Sequence, residues 1–354
     1  MKLAIVAFTR NGANAAVKTK EYLVEEGHNV KTYCFHKYAI EELEPFYKLG
    51  PLIEELFVSM DGILFISAAG IAVRSIAPYV KSKVNDPAVL VMDESKKFVI
   101  SLLSGHLGGA NELALDIASN LKATPVITTA TDVNNKLAID VWAAKRKLYI
   151  KEMELAKEVS ARLLNDESVG YRCNVEGNME WKMALECPRG LTKHDNVQVG
   201  VCVTYDELDM PFERTLHLIP KNLVLGIGCR KDKDPAQVER VVRQILGQYH
   251  IAKEAIVKLC SIDIKKQEKA LLQLAEKWQI PFETFSSQEL MQLAGDFTGS
   301  SFVQSITGVD NVCERSAVLG SMLETKNNRT EQQIIVRKQA VDGVTVALCK
   351  IEGQ

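Results

Sequence analysis

The sequence lacks a strong charge of either sign. Its 354 residues carry 43 lysines and arginines against 45 aspartates and glutamates, a formal net charge of −2 at pH 7. No basic tract with interleaved aromatic residues interrupts this balance. Because the chain as a whole offers no attractive field to polyanions, we expect neither nucleic acid nor a membrane surface as a partner.

Long apolar segments are also missing. No uninterrupted apolar run approaches the roughly 20 residues that a membrane-spanning helix needs. The first residues, MKLAIVAFTRNGANAAV, are too polar after Phe8 for a secretory signal. The eight cysteines form no CxxC pair and no Cys/His cluster with zinc spacing. We therefore expect a cytoplasmic protein with reduced thiols and no metal site of its own.

The first half of the chain alternates short apolar runs with amphipathic stretches. Strands are predicted over residues 3–8, 29–35, 62–68, 88–94, 98–103 and 124–129. Helices are predicted over residues 12–26, 41–57 (broken), 69–83 (closed by Pro78) and 106–121. This order is typical of a parallel sheet with helices on both faces.

Three regions follow from these patterns. Residues 1–133 form a first α/β domain, and residues 134–220 form a middle or linking region with helices followed by short polar strands. Residues 221–354 form a second α/β domain. The predicted fold class is thus α/β, with two open, mostly parallel-sheet domains joined by a smaller α+β middle region.

Local signals mark two boundaries in the last region. Asp234 before Pro235 is a predicted helix N-cap with proline at the first helical position. Asp342 and Gly343 form the predicted turn of a final hairpin.

The least ordinary stretch is SGHLGGANELALDIA, residues 104–118. Its glycines directly follow the strand-like FVISLL, and glycine permits the positive φ angles of a sharp strand-to-helix turn. The N–H groups of a helix N-terminus at such a turn are where open α/β sheets bind ligands, anions most readily. The competing interpretation is that the glycines only let helix and strand pack closely.

His106 lies inside this glycine turn. An imidazole at a helix N-terminus is biased towards its neutral form, which suits a general base or a metal ligand. The residue could equally be a cap without chemistry.

A second predicted strand end carries Gly70 and Arg74 in SAAGIAVRSIAP. The guanidinium of Arg74 could clamp a carboxylate bidentately, or it could be a solvated surface arginine.

Two further strand ends are polar. VMDES places Asp93 and Glu94 at one of them, and ITTATD places three threonines (Thr128, Thr129 and Thr131) and Asp132 at the other. The threonines could bind a ligand or cap the next helix. Together these strand ends predict a polar, anion-accepting cleft along one edge of the sheet.

The second half has a glycine turn of its own, LGIGCRKDKDP, with Gly228 and Arg230 after a strand. SSFVQSITGVDNVCERSAVLGS predicts a helix, a turn and a helix, with Glu314 near the second start. Glu314 could contact a ligand or be a first-turn carboxylate favoured by the helix dipole.

Nucleotide-binding motifs are absent. The spacing GHLGG lacks the lysine of GxxxxGK[ST] and is not GxGxxG. A nucleotide-dependent α/β enzyme is therefore disfavoured, and a thermal-shift screen with ATP and NAD would test it.

Several motifs of the chain resemble those of a known family, the CbiG proteins of cobalamin biosynthesis. LLSGHLGGANELA, DPAVLVMDE, AGIAVRSIAP and PVITTATD are similar to the N-terminal domain of that family. GIGCRKD, SIDIKKQEKALLQLAE and GVDNVCERSAVLGS are similar to its C-terminal domain, which CobE-like proteins share. Only residues 150–220 match weakly.

The resemblance implies a cobalt-precorrin-5A hydrolase of the anaerobic route to the corrin ring. Such an enzyme opens the ring A acetate δ-lactone, releases the methylated meso carbon as acetaldehyde and gives cobalt-precorrin-5B. Cobalt would arrive inside the substrate, so we expect no separate cofactor. Other cobalamin-pathway enzymes and a second copy of the chain, as a homodimer, are the further partners we consider.

For this reaction His106 is the expected catalytic base, with Asp132 or Asp93 orienting it, although axial ligation of cobalt is an alternative role. The glycine-turn N–H groups would stabilise an oxyanion. The expected substrate-binding residues are Gly70, Arg74, Ser104, Gly105, Gly108, Gly109, Asn111, Thr128, Thr129, Gly228, Arg230 and Glu314. The non-enzymatic alternative is a tetrapyrrole-binding or handover protein, which turnover to acetaldehyde would exclude.

Overall fold

The apolar runs in the first half of the chain become strands of one sheet, and the amphipathic stretches become helices that cover it. The chain forms two compact units, Met1–Val141 and Trp142–Gln354. No helix within the described ranges is both long and apolar enough to cross a lipid bilayer. The computed structural model describes residues 1–82, 85–106, 108–175, 179–194, 196–323 and 333–351.

The first unit contains a seven-stranded sheet of order β3-β2-β1-β4-β5-β6-β7. Its strands are β1 (Lys2–Ala7), β2 (Asn29–Phe35), β3 (Glu44–Phe46), β4 (Gly62–Ile66), β5 (Ala88–Met92), β6 (Phe98–Leu103) and β7 (Thr124–Val126). The helices that begin in this unit are α1 (Arg10–Glu25), α2 (Leu49–Ser59), α3 (Ala69–Ile76), α4 (Ala110–Leu121), α5 (Ala130–Val133) and α6 (Ile139–Lys145).

Both faces of this sheet are buried. Successive residues of a strand point to opposite faces, so Ile5 and Val6 of β1 enter different cores. The core with Ile5 includes Ile117 of α4, and the core with Val6 includes Leu56 of α2. This explains why the central strands are continuous apolar runs, as the sequence predicted.

The predicted mostly parallel arrangement of this unit has one antiparallel pair, formed by β5 and β6. β6 pairs with β5 antiparallel, with Met92 opposite Val99, and β7 pairs with β6 in parallel. Only residues 93–97 join β5 to β6, and a parallel crossover needs a dozen residues or more. The short link therefore forces a hairpin, and its Asp93 carboxylate accepts hydrogen bonds from the backbone N–H groups of Ser95, Lys97 and Phe98.

Two predicted helices of this unit are corrected. The stretch predicted as a broken helix over 41–57 contains strand β3 before α2. The helix predicted from His106 begins at Ala110, and Leu107 lies outside the described residues. Local periodicity thus found helices α2 and α4 but not the residues where they begin.

The second unit contains a four-stranded sheet of order β8-β11-β10-β9. Its strands are β8 (Leu148–Ile150), β9 (Gly170–Cys173), β10 (Val199–Val203) and β11 (Arg214–Pro220), and its helices are α7 (Met153–Leu164) and α8 (Met179–Ala184). The prediction of short polar strands is wrong here, because β10 is fully buried. Gly170 and Gly200 do not look like core residues in the sequence. In the structure, however, they leave room for the buried ring of Phe212.

A five-stranded sheet of order β14-β13-β12-β16-β15 follows in the same unit. Its strands are β12 (Leu223–Cys229), β13 (Ile256–Ile262), β14 (Phe282–Phe285), β15 (Gln333–Val341) and β16 (Val344–Lys350). The helices are α9 (Pro235–Gln248), α10 (Lys269–Trp278), α11 (Ser287–Gln292), α12 (Ser301–Thr307) and α13 (Cys313–Met322). The predicted α/β class with mostly parallel sheets is confirmed.

Two local predictions in this sheet are confirmed. The Asp234 side chain accepts a hydrogen bond from the backbone N–H of Gln237 and caps α9, whose first residue is Pro235. Asp342 and Gly343 join β15 to β16 with φ angles of 48° and 72°, the left-handed pair that a tight hairpin turn requires.

Candidate active site

The glycine turn connects the end of β6 to the start of α4. Ser104 opens it with a φ of 56°, and its hydroxyl donates to the backbone oxygen of Asp86. Three backbone N–H groups of the turn donate back to carbonyls of the same turn, namely Gly109 to His106, Ala110 to Ser104 and Asn111 to Gly105. These three donors, which the sequence suggested for an anion, are therefore already used.

The glycines themselves meet local requirements. A Cβ atom at Gly105 would lie 2.6 Å from Asn111 Oδ1, and one at Gly108 would lie 2.4 Å from Ser104 Cβ. Gly109 has a φ of 84° at the N-cap of α4. What approaches Gly105 and Gly108 most closely is thus the protein's own turn, and contact of these glycines with substrate remains a prediction.

His106 is held in the turn by side chains from two helices. Its Nε2 lies 2.9 Å from Asp132 Oδ2 and 3.0 Å from the Thr131 hydroxyl oxygen, both on α5. Its Nδ1 lies 3.7 Å from Asp140 Oδ2 on α6. The His106 side chain is 20% exposed, so a ligand can reach part of the ring.

These carboxylates change the proton affinity of His106. The Asp140 carboxylate is the largest cause, and together with Asp132 it raises the pKa of His106 above its ordinary value of 6.5, against the lowering effect of burial. This corrects the expectation of a ring biased towards its neutral form. The ring precedes the first residue of α4 by four positions, so two nearby carboxylates outweigh the helix dipole.

Asn111 links the turn to the segment after β7. Its Nδ2 donates to the Thr129 hydroxyl at 2.8 Å and to Asp132 Oδ2 at 3.0 Å. Its Oδ1 is buried and has no hydrogen-bond partner among the described residues. The predicted residues His106, Asn111, Thr129 and Asp132 therefore form one cluster, whereas Thr128 beside them is exposed.

Gly70, Arg74 and Asp93 lie at the opposite edge of the sheet. They follow β4 and β5, whose carboxyl ends are far from that of β6 because β6 runs the other way. The Arg74 guanidinium folds back over Gly70 in the first turn of α3, which keeps it at that edge. The expectation of one polar cleft along one edge is therefore wrong, and Asp93 cannot orient His106.

The predicted contacts of the second unit have structural roles of their own. A side chain at position 228 would clash, because a Cβ on Gly228 would lie 2.7 Å from Thr345 Oγ1. The aliphatic part of the exposed Arg230 lies over the hairpin turn at Gly343. Glu314 is fully buried on α13, so the structure gives it no surface for a ligand.

Sequence reasoning missed one residue of the His106 cluster, Asp140. Asp140 lies in the helical run NKLAIDVW, where it has the pattern of a first-turn helix carboxylate. Nothing in its spacing from Asp132 points to a shared partner, since an irregular segment separates α5 from α6.

Comparisons with known proteins cover most of the chain. Models of the cobalamin biosynthesis G family match three consecutive segments, with the N-terminal model on residues 51–132, the central-region model on 137–220 and the C-terminal model on 223–349.

Individual relatives agree with this match. A protein from Salmonella typhimurium named cobalt-precorrin-5A hydrolase is 36% identical over 305 residues, which cover 83% of this chain and 83% of the relative. One of the same name from Priestia megaterium is 32% identical over 309 residues, which cover 84% of this chain and 81% of the relative. A solved structure described as a cobalamin biosynthesis protein G homolog from Sulfolobus solfataricus shares 23% identity, covers 99% of this chain and 97% of its own, and has a TM-score of 0.43. The chain belongs to the CbiG family of cobalamin biosynthesis proteins.

Proposed function

We propose that the protein is a cobalt-precorrin-5A hydrolase, which opens the ring A acetate δ-lactone of its substrate and releases the methylated meso carbon as acetaldehyde. Relatives that carry this enzyme name match more than four fifths of the chain. The observation that carries the proposal is His106, placed between the carboxylates of Asp132 and Asp140 at the end of β6. An imidazole in this position can move the protons that lactone opening requires.

In the first step, water adds to the lactone carbonyl and the C–O bond to the meso carbon breaks. Both contacts of Asp132 with His106 and Asn111 use Oδ2, and the side chain is 42% exposed, so Oδ1 accepts the proton of the attacking water. Protonated His106 donates its proton to the departing alkoxide oxygen. The products are a free acetate side chain and a hydroxyl on the meso carbon.

In the second step, the neutral His106 accepts the proton of that hydroxyl. The C–C bond between the meso carbon and the macrocycle breaks, its electron pair stays on the macrocycle, which takes up the proton that Asp132 received in the first step, and acetaldehyde leaves. The raised pKa of His106 supports this order, because the ring begins and ends the cycle protonated. The earlier expectation of a neutral base in the resting enzyme is revised accordingly.

The substrate brings its own cobalt, so the proposal includes no resident cofactor. Arg74 has an exposed guanidinium group, which is proposed to bind a peripheral carboxylate of the macrocycle. We place the reaction in the cytoplasm, which agrees with eight free cysteines.

The test is acetaldehyde release from cobalt-precorrin-5A by the wild type and by His106→Ala. His194→Ala, which removes an exposed histidine of the second unit, is the matched control. We expect release by the wild type and the control, and a loss of about 10²–10⁴-fold in kcat for His106→Ala with binding retained.

Two results would contradict this proposal. Tight binding of the macrocycle by the wild type without any release would make the protein a carrier. Equal rates for His106→Ala and the wild type would mean that the glycine turn only binds or packs.

A further inference from the structure

Asp140 approaches His106 from the side of the ring opposite Asp132. Asp132 lies on α5 and faces Nε2, while Asp140 lies on α6 and faces Nδ1. The Asp140 side chain is 17% exposed, against 42% for Asp132. The two carboxylates thus differ in their access to solvent and to a substrate.

The geometry restricts the state of the ring. Asp132 Oδ2 is 2.9 Å from Nε2, within hydrogen-bond distance, and Asp140 Oδ2 is 3.7 Å from Nδ1, which is an ion-pair contact. A neutral imidazole carries one N–H, so it leaves a lone pair facing one of the carboxylates. An imidazolium carries both N–H groups and satisfies both sides.

We propose that Asp140 is a positioning residue: it holds the second nitrogen of His106, so that the ring rests between two carboxylates and acts as the proton donor of the first step. Asp132, the more exposed partner, stays beside the reacting atoms. This inference rests on the proposed hydrolase function. It gives the two carboxylates of that site different roles: Asp140 positions the ring, and Asp132 contacts the reacting atoms.

The charges around the ring support the assignment. Asp132 and Asp140 are the charged groups that act on His106, and both favour the protonated ring, whereas burial opposes it. The Thr131 hydroxyl, 3.0 Å from Nε2, is a polar but uncharged neighbour. If the Asp140 charge is removed, only Asp132 still raises the pKa of His106, while burial continues to lower it. The pKa of His106 therefore falls.

The first experiment is an NMR titration of the histidine ring carbons, with the His106 signal assigned by its loss in His106→Ala. We expect a His106 pKa above 6.5 in the wild type and a lower one in Asp140→Asn. Asp140→Glu, which keeps the charge, should restore much of the difference. Asp116→Asn is the control, since it removes an exposed carboxylate on α4 that does not contact His106.

The second readout is the pH profile of kcat/KM for acetaldehyde release. Since the protonated ring is the donor, activity falls as the pH rises through the His106 pKa. In Asp140→Asn that fall moves to lower pH, with a loss of about tenfold relative to the wild type at pH 8 and little loss at pH 6. A residue with only a structural role would lower activity equally at every pH.

The inference is overturned if the His106 pKa is the same in Asp140→Asn as in the wild type. If Asp140→Asn does not fold, the wild-type titration decides by itself, because a pKa at or below 6.5 contradicts the arrangement. Absence of acetaldehyde release by the wild type overturns the hydrolase proposal instead, and the titration still tests the role of Asp140.

Discussion

Leu103, the last residue of β6, pairs with Val89 near the start of β5. The glycine turn after Leu103 therefore lies at the edge where β5 begins, and the residues after β4 and β5 lie at the other edge. A strand of five residues such as β5 spans roughly 16 Å. This pairing decides which predicted residues can act together on one reacting atom.

Arg74→Ala is expected to leave kcat within about twofold of the wild type and to raise KM by about tenfold or less. The guanidinium lies at the edge opposite His106 and makes no ion pair with any described residue, so it can bind only a peripheral group. Steady-state acetaldehyde release measures both constants. Arg74→Lys keeps the charge without the bidentate fork and should fall between the two. A tenfold or larger drop in kcat for Arg74→Ala would contradict the edge assignment.

Gly108→Ala is expected to destabilise the first unit by about 1–3 kcal/mol. The new Cβ would lie 2.4 Å from Ser104 Cβ and 2.7 Å from Ser104 O, and neither the backbone nor a residue with positive φ can move away cheaply. The free energy of unfolding in urea measures the effect. Gly50→Ala is the control, because its Cβ on α2 meets nothing within 4 Å. Equal stabilities of the two variants would show that the turn tolerates a side chain.

Glu314→Gln is expected to lower the free energy of unfolding by on the order of 2–3 kcal/mol without lowering kcat of the folded protein. The buried carboxylate accepts hydrogen bonds from Thr298 N and Oγ1, from Asn311 Nδ2 and from Lys338 N. In the Gln variant the side-chain NH₂ would replace one carboxylate oxygen and face hydrogen-bond donors, so the hydrogen bonds to that oxygen would be lost. Glu213→Gln at an exposed site controls for the loss of charge. A stable variant with impaired turnover would instead indicate that Glu314 contacts the substrate.

Glu239 on α9 is expected to stabilise the second unit in a pH-dependent way. Burial alone would raise its pKa, but hydrogen bonds from Lys277, Arg243 and Trp278 lower the pKa to about 2. Because the folded pKa lies below the ordinary 4.5, the contribution is complete above pH 4.5 and is lost as the pH falls towards 2.

Glu239→Gln should therefore lower the free energy of unfolding by about 2–3 kcal/mol at pH 7 and by much less at pH 2.5. Urea unfolding at the two pH values measures the difference. Glu276→Gln, an exposed carboxylate on α10, is the control. A loss of equal size at both pH values would mean that the effect of Glu239→Gln is not electrostatic.

Local patterns predicted many elements of the fold. Strand β2 was predicted residue for residue from NVKTYCF, because alternating and β-branched residues suit a pleated surface. Strand β3, with the sequence EPF, was missed because it has three residues and a proline. Strand β10 was taken as polar because Gly200 does not look apolar in a sequence, although the Phe212 ring covers it.

The candidate site was predicted only in part. Asp132 and Asp93, from two separate strand ends, were the two candidates to orient His106, and Asp132 lies 2.9 Å from it. Asp132 is the one close to His106 because β6 and β7 are parallel, so their carboxyl ends share an edge. Asp140 was missed because its approach depends on the path of the chain between α5 and α6, which no period describes.

The sequence by itself determined most of the order of strands and helices, the glycine turn and the family. These features depend on neighbours along the chain, where φ preference, apolar period and capping chemistry act. Tertiary structure alone decided the direction of β6, the separation of Arg74 from His106 and the placing of a second carboxylate on the imidazole. Those features depend on which distant segments pair, and the free energy of that pairing is shared among many residues across the sheet.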